Sequence, residues 1–250
     1  MNETTKVCLN CNEKLQGDFC SHCGQSAQTD RFTFKHVFTH GFLLAIFHFN
    51  KGLFFSLKEL FTRPGHSTRD YINGKRVTHI NYFSLLVILI LVFSLVEQAT
   101  PFHFSDLSDG DKEIYETIDV ALKKYPKFVY IGIIPLLSFL SYLFFQKAKQ
   151  NYAENIVLNS FKTAAVIAMN ILFISFASLV KDISIIRKAD TLLALIGTVY
   201  GTWFYYQYFS PFYTNKFMLV IKSLLCTVLP AVLMAIGLAI YFASNGSGQV

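Results

Sequence analysis

Residues 77–96 read VTHINYFSLLVILILVFSLV, an unbroken run without one charged side chain and with the aliphatic block Leu85–Val92 at its heart. A helix rises 1.5 Å per residue, so this run is about 30 Å long, the thickness of a bilayer's hydrocarbon. Four more charge-free stretches follow at 128–146, 163–180, 191–210 and 223–244. The composition agrees. Apolar residues make up 53% of the 250 positions and charged residues only 15%, with 26 Phe among them, and the mean hydropathy is +0.41. A soluble domain carries about a quarter charged residues on its surface, and this chain lacks that surface. Five Cys are too few for a disulfide-stapled secreted module, and the hydropathy excludes disorder for the bulk. The fold class predicted is an all-α polytopic membrane protein with about five transmembrane helices.

The first thirty residues differ. They are polar, lack a signal peptide's basic and apolar regions, and hold four of the five Cys as Cys8-Leu9-Asn10-Cys11 and Cys20-Ser21-His22-Cys23. The pairs repeat at an interval of twelve, with Val7 matching Phe19 and Asn12 matching Gly24. A C-x-x-C turn aims two sulfurs at one point, and the residue after it favours positive φ, which Gly and Asn tolerate best. Two facing turns make a closed four-thiolate site for structural Zn2+, with Cys8, Cys11, Cys20 and Cys23 as ligands. So small a module has little core, and the metal would supply most of its folding energy, on the order of 10 kcal/mol. Thiolate ligands also place it in a reducing compartment. The expected organisation is a zinc ribbon over 1–30, amphipathic interfacial helices and a basic motif over 31–76, and a transmembrane domain over 77–250.

Within 31–76, residues 36–50 are uncharged but short for a span. Phe54, Leu57, Leu60 and Phe61 then continue at helical spacing around Lys58 and Glu59, a pattern for one or two helices lying in the interface, with a re-entrant or buried segment as the alternative. Pro64-Gly65 and Asn73-Gly74 punctuate the segment. Arg63, Arg69, Lys75 and Arg76 precede the first span, whereas Lys112 is alone on its other side. The positive-inside rule therefore puts the amino terminus in the cytoplasm. The same four basic residues are candidates for docking anionic headgroups or a protein partner.

Polar groups inside the spans are few. Glu97, Glu154 and Lys162 stand at span edges, where snorkelling accounts for them, and Asn159 and Asn170 suit inter-helix hydrogen bonds. Trp203, Tyr205, Tyr206, Tyr208 and Tyr213 suggest an interfacial aromatic belt. In the acidic loop after the first span, Ile114, Ile118, Leu122 and Tyr125 fall on one helical face.

The ribbon Cys8–Gly24, the Arg63-Pro64-Gly65 stop, Tyr71-Ile72 with Gly74-Lys75-Arg76, and the long span after them resemble an uncharacterised bacterial family. This is a domain of unknown function in which a cytoplasmic zinc ribbon precedes several transmembrane helices. Tyr152–Phe161 matches it loosely, with Glu154-Asn155 where the family has a Glu-His pair. The resemblance implies the bacterial inner (cytoplasmic) membrane and supplies no catalytic residues.

The functional expectation is a non-enzymatic membrane protein. Its ribbon and basic interfacial segment would form a cytoplasmic docking or regulatory surface for a protein partner or anionic lipid. The alternative is a membrane enzyme or transporter acting on a lipid or lipid-linked phosphate, with Asp70, His66 or His79 moving protons. Nucleic acid is not an expected partner, because Lys6, Lys14 and Arg31 near the ribbon are offset by Glu3, Glu13, Asp18 and Asp30.

Overall fold

The computed structural model describes residues 7–34, 52–102, 104–107, 120 and 124–246. Their structure is helical, and the only β pairing among them is two isolated bridges in the ribbon. Two short helices, α1 (Gly52–Thr62) and α2 (Pro64–Ile72), precede five long ones: α3 (Tyr82–Ala99), α4 (Pro126–Phe144), α5 (Tyr152–Ala177), α6 (Ile183–Phe209) and α7 (Lys216–Gly246). The α5 helix is the axis of the bundle, packed on α3, α4 and α6, while α7 lies against α6 and α4.

Pro64 opens α2 at a position where its missing N–H costs nothing, and it cannot continue α1. Gly65 lets α2 lie directly on α6. A Cβ there would stand 2.3 Å from the Tyr208 nitrogen and 2.4 Å from the Phe204 oxygen, both backbone atoms. Asn73 caps α2, and Gly74 takes φ +111° in the turn that follows.

Among the described residues three helices are long and apolar enough to cross a membrane: Tyr82–Ala99, Tyr152–Ala177 and Lys216–Gly237. Phe128–Phe144 is apolar but shorter, and α6 carries Arg187, Lys188 and Asp190 in its first turns. These helices suggest a membrane protein. Helix bounds differ from the predicted stretches where polar residues cap them. Asn81 starts α3 by accepting from the Phe83 N–H, after Ile80 has donated to Ser56 Oγ of α1. Asn151 and Glu154 form a reciprocal capping box that starts α5 at Tyr152, well before the predicted Thr163.

That early start corrects the reading of Lys162 as a span-edge residue, while Glu154 keeps its place in the first turn of the span. Both are buried in the bundle, as is Glu97, and Lys162 points inward to Tyr205. The aromatic belt is corrected too. Tyr205, Tyr208 and Tyr213 are buried in the core, where Phe145 stacks on Phe209 and meets Tyr213 edge-on. Asn159 and Asn170 do hydrogen-bond across helices, to Ser141 and Tyr130 of α4. The parts of the interfacial and acidic-loop expectations at 36–51, 108–119 and 121–123 lie outside the described residues.

Candidate metal centre

The two knuckles share one backbone pattern. In the first, Cys8 N–H donates to Glu13 and Asn12 N–H to Cys8; in the second, Cys20 N–H donates to Gln25 and Gly24 N–H to Cys20. The bridges Val7–Lys14 and Phe19–Ser26 close the two loops at the same interval of twelve. Asn12 has φ 61° and Gly24 φ 75°, the left-handed conformation expected after each C-x-x-C. As a result the four sulfurs lie within 4.8 Å of one another, with Cys8–Cys23 and Cys11–Cys20 at 3.5 Å.

That donor set fits a metal ion. None of the four is in a disulfide, and a tetrahedron with metal–sulfur bonds of about 2.3 Å has sulfur–sulfur edges of roughly 3.8 Å. The backbone N–H of Cys23, aimed at the Cys20 sulfur, draws that thiol below its ordinary value. Four thiolates would close the coordination sphere of a bound ion, which is consistent with a structural metal.

Both knuckles rest on the turn after α2. Gln25, the residue after Gly24, donates through Nε2 to the Gly74 carbonyl at 2.7 Å and accepts from the Arg76 N–H at 3.1 Å. Leu9, inside the first C-x-x-C, covers Gly74 so closely that a Cβ there would be 2.7 Å from Leu9 Cδ1. The chain leaving the ribbon is tied down next. Arg31 forms a bidentate pair with Glu154 at 2.8 and 2.7 Å, and Asn151 donates to the Phe32 carbonyl. Phe32 is buried between the Tyr71 and Tyr82 rings, with the Arg76 guanidinium 3.9 Å from its centroid. A cavity of about 490 Å³ opens in this seam, lined by Leu9, Arg31, Gly74, Arg76, Gln150 and Glu154 among others.

The four basic docking candidates do not converge on one ligand position. Arg63 pairs with Glu59 and Asp70, and Lys75 pairs with Asp70 at 3.2 Å. Arg69 donates to the Gln207 and Tyr208 carbonyls at 3.0 and 2.9 Å, capping the end of α6. Arg76 donates to the Asp30 carbonyl. His66 is engaged by Arg69, and His79 is buried against Ser67 at 2.8 Å. Sequence reasoning missed Gln25, Arg31 and the seat they make, because nothing local marks pairings across about 50 residues for Gln25 and 123 for Arg31. The capping-box spacing Asn151-x-x-Glu154 was a legible signal that α5 begins there.

A family model described as a protein of unknown function (DUF3667) matches residues 50–94. The match spans α1, α2 and most of α3, and begins after the ribbon. No curated protein and no solved structure matches the chain.

Proposed function

We propose that the protein is a multi-pass component of the bacterial cytoplasmic membrane whose ribbon end, in the cytoplasm, docks on anionic headgroups. The observation that carries this reading is α1. It buries Ser56 and Leu60 against the bundle and leaves Phe54 82% exposed, with Phe55, Phe61 and Lys58 also exposed. Aromatic rings beside a cation, on a short helix at the bundle's end, suit insertion at the headgroup boundary. Zinc in the four-thiolate centre would hold the ribbon over that surface, and thiolates need a reducing compartment. The enzyme or transporter alternative has the seam cavity in its favour. However, Asp70, His66 and His79 are not among the residues lining it, and of the carboxylates that do line it, Asp30 and Glu154, the second is held by Arg31.

The test is native mass spectrometry in nanodiscs that mix anionic and zwitterionic lipids. Retained anionic lipid, reduced when Phe54 and Lys58 are both changed to Ala, supports the reading. Equal retention of both lipid classes overturns it.

A further inference from the structure

Lys162 lies ten residues inside α5, about 15 Å along the axis from Tyr152. It is 6% exposed. Its stem runs past Gly201 of α6, where a Cβ would stand 3.3 Å from Lys162 Cε and 2.7 Å from Thr227 Cγ2. Nζ donates to the Tyr205 hydroxyl at 3.3 Å and sits 4.6 Å from that ring's centroid. Among the described residues no carboxylate pairs with it. An ammonium has three donors, and one hydrogen bond serves it here. Among the described residues the buried hydroxyls of Thr163, the next residue, and Ser223, one turn before Cys226 and Thr227, have no hydrogen-bond partner. An apolar side chain would pack such a position better. An ionisable group retained inside a membrane bundle points to work done on charge.

The surroundings differ on the two sides. Toward the ribbon, Tyr205 donates to Asn159, Asn159 to Ser141, Ser141 to Asn155, and Asn155 to the Asn151 carbonyl. That chain ends on a backbone oxygen, which passes no proton onward. Toward the far end lies a cavity of about 250 Å³ lined by Val166, Asn170, Asp190 and Gly197, among others. Val166 is one turn beyond Lys162 on α5, and Gly197 is one turn from Gly201 on α6, so the cavity begins about 5.4 Å from the lysine's shell. Its volume has room for several waters at about 30 Å³ each. The groups facing Lys162 are Tyr205 from α6 and Cys226 from α7. The α4 helix brings the hydroxyls of Ser138 and Ser141, and that of Tyr130 beside Asn170, with Glu97 of α3 near Tyr130.

We propose that Lys162 is a proton-binding site inside the bundle, loaded from the end opposite the ribbon through the cavity that holds Asp190 and Asn170. The step is a protonation. The amine lone pair forms an N–H bond as an O–H bond of an adjacent water breaks, and that water regains its proton through the cavity's waters from hydronium or from the Asp190 carboxylic acid, eleven residues, about 16 Å, along α6 from Gly201. Asp190 acts as a positioning and transfer group, and the Tyr205 ring holds the ammonium that forms.

The full-length protein in nanodiscs, labelled with 15N at lysine Nζ, provides the test. The expected result is one amine signal that disappears in Lys162→Met and titrates while circular dichroism shows the native helix content. In Asp190→Asn its exchange with water slows about tenfold or more, the scale of losing a transfer group. Should Lys162→Met fail to fold, Tyr205→Phe assigns the same signal by removing its hydrogen bond. A Lys162 signal that keeps one protonation state until the protein unfolds overturns the proposal, and so does unchanged exchange in Asp190→Asn.

Discussion

Gln25 and Gly74 stand 49 positions apart, and the Gln25 amide grips the backbone on both sides of Lys75, giving a hydrogen bond to Gly74 and taking one from Arg76. The amide is buried, so its loss would leave a carbonyl and an N–H bare. Gln25→Ala is expected to weaken the seat by about 1–3 kcal/mol. Limited proteolysis should then cut the chain between ribbon and bundle faster, while the helix content stays unchanged.

The metal centre predicts a stoichiometry and a sensitivity. The wild-type chain should carry one zinc by elemental analysis. Cys8→Ser combined with Cys11→Ser should carry none and expose residues near the ribbon to protease. A strong chelator should have the same effect on the wild type, since metal binding and folding are one event in so small a module.

Gly65 is the contact between α2 and α6. Its Cβ would meet backbone atoms at 2.3 and 2.4 Å, and backbone cannot yield as a side-chain tip can. Gly65→Ala should cost more than about 3 kcal/mol in stability, read as a lowered denaturation midpoint in detergent. Gly132 has nothing within reach of a Cβ, and Gly132→Ala should be neutral or slightly stabilising.

Arg69 spans two carbonyls at the end of α6 with one nitrogen and engages His66 with the other. A lysine carries the same charge without the planar fork. Arg69→Lys is therefore expected to lose about 1–2 kcal/mol, most of the cost of Arg69→Ala, in thermal unfolding.

Burial holds the His79 imidazole below its ordinary value of 6.5. The unfolded chain therefore binds a proton first as the pH falls, and protonation favours unfolding. Stability from this group is complete above about pH 6.5, drops as the pH falls toward the folded-state value, and then levels. His66 is shifted the same way, by burial and then by Arg69. His79→Gln should flatten the slope measured in denaturant titrations between about pH 5 and 7.

Much of this architecture is legible in the chain itself. The twelve-residue repeat locates both knuckles and the positive φ at Asn12 and Gly24, because C-x-x-C geometry is set by local backbone. Pro64-Gly65 and Asn73-Gly74 mark the ends of α1 and α2 for the same reason. What could not be read was where buried polar side chains point. Lys162 ends a charge-free window, and hydropathy alone treats any such residue as a boundary. Only the space left by Gly201 on another helix, and the Tyr205 ring beside it, turn that lysine inward. Arg69 likewise looks like surface charge until α6 supplies the carbonyls it covers. The tyrosines at 205, 208 and 213 resemble a belt by composition; the burial of the first two depends on which face of α6 packs inward, and that of Tyr213, beyond the helix, on its contact with Phe145.

With Lys162 protonated, the run of hydrogen bonds from Lys162 to Asn151 has a head that can only give and a foot that can only receive. Its hydrogens consequently have a single self-consistent order, since reversing any one link would set two donors or two acceptors face to face. The foot of this sequence is the residue that caps α5 and holds the Phe32 carbonyl, beside the Arg31–Glu154 pair. The polar run from the buried lysine thus ends on the residue that fastens the chain from the ribbon.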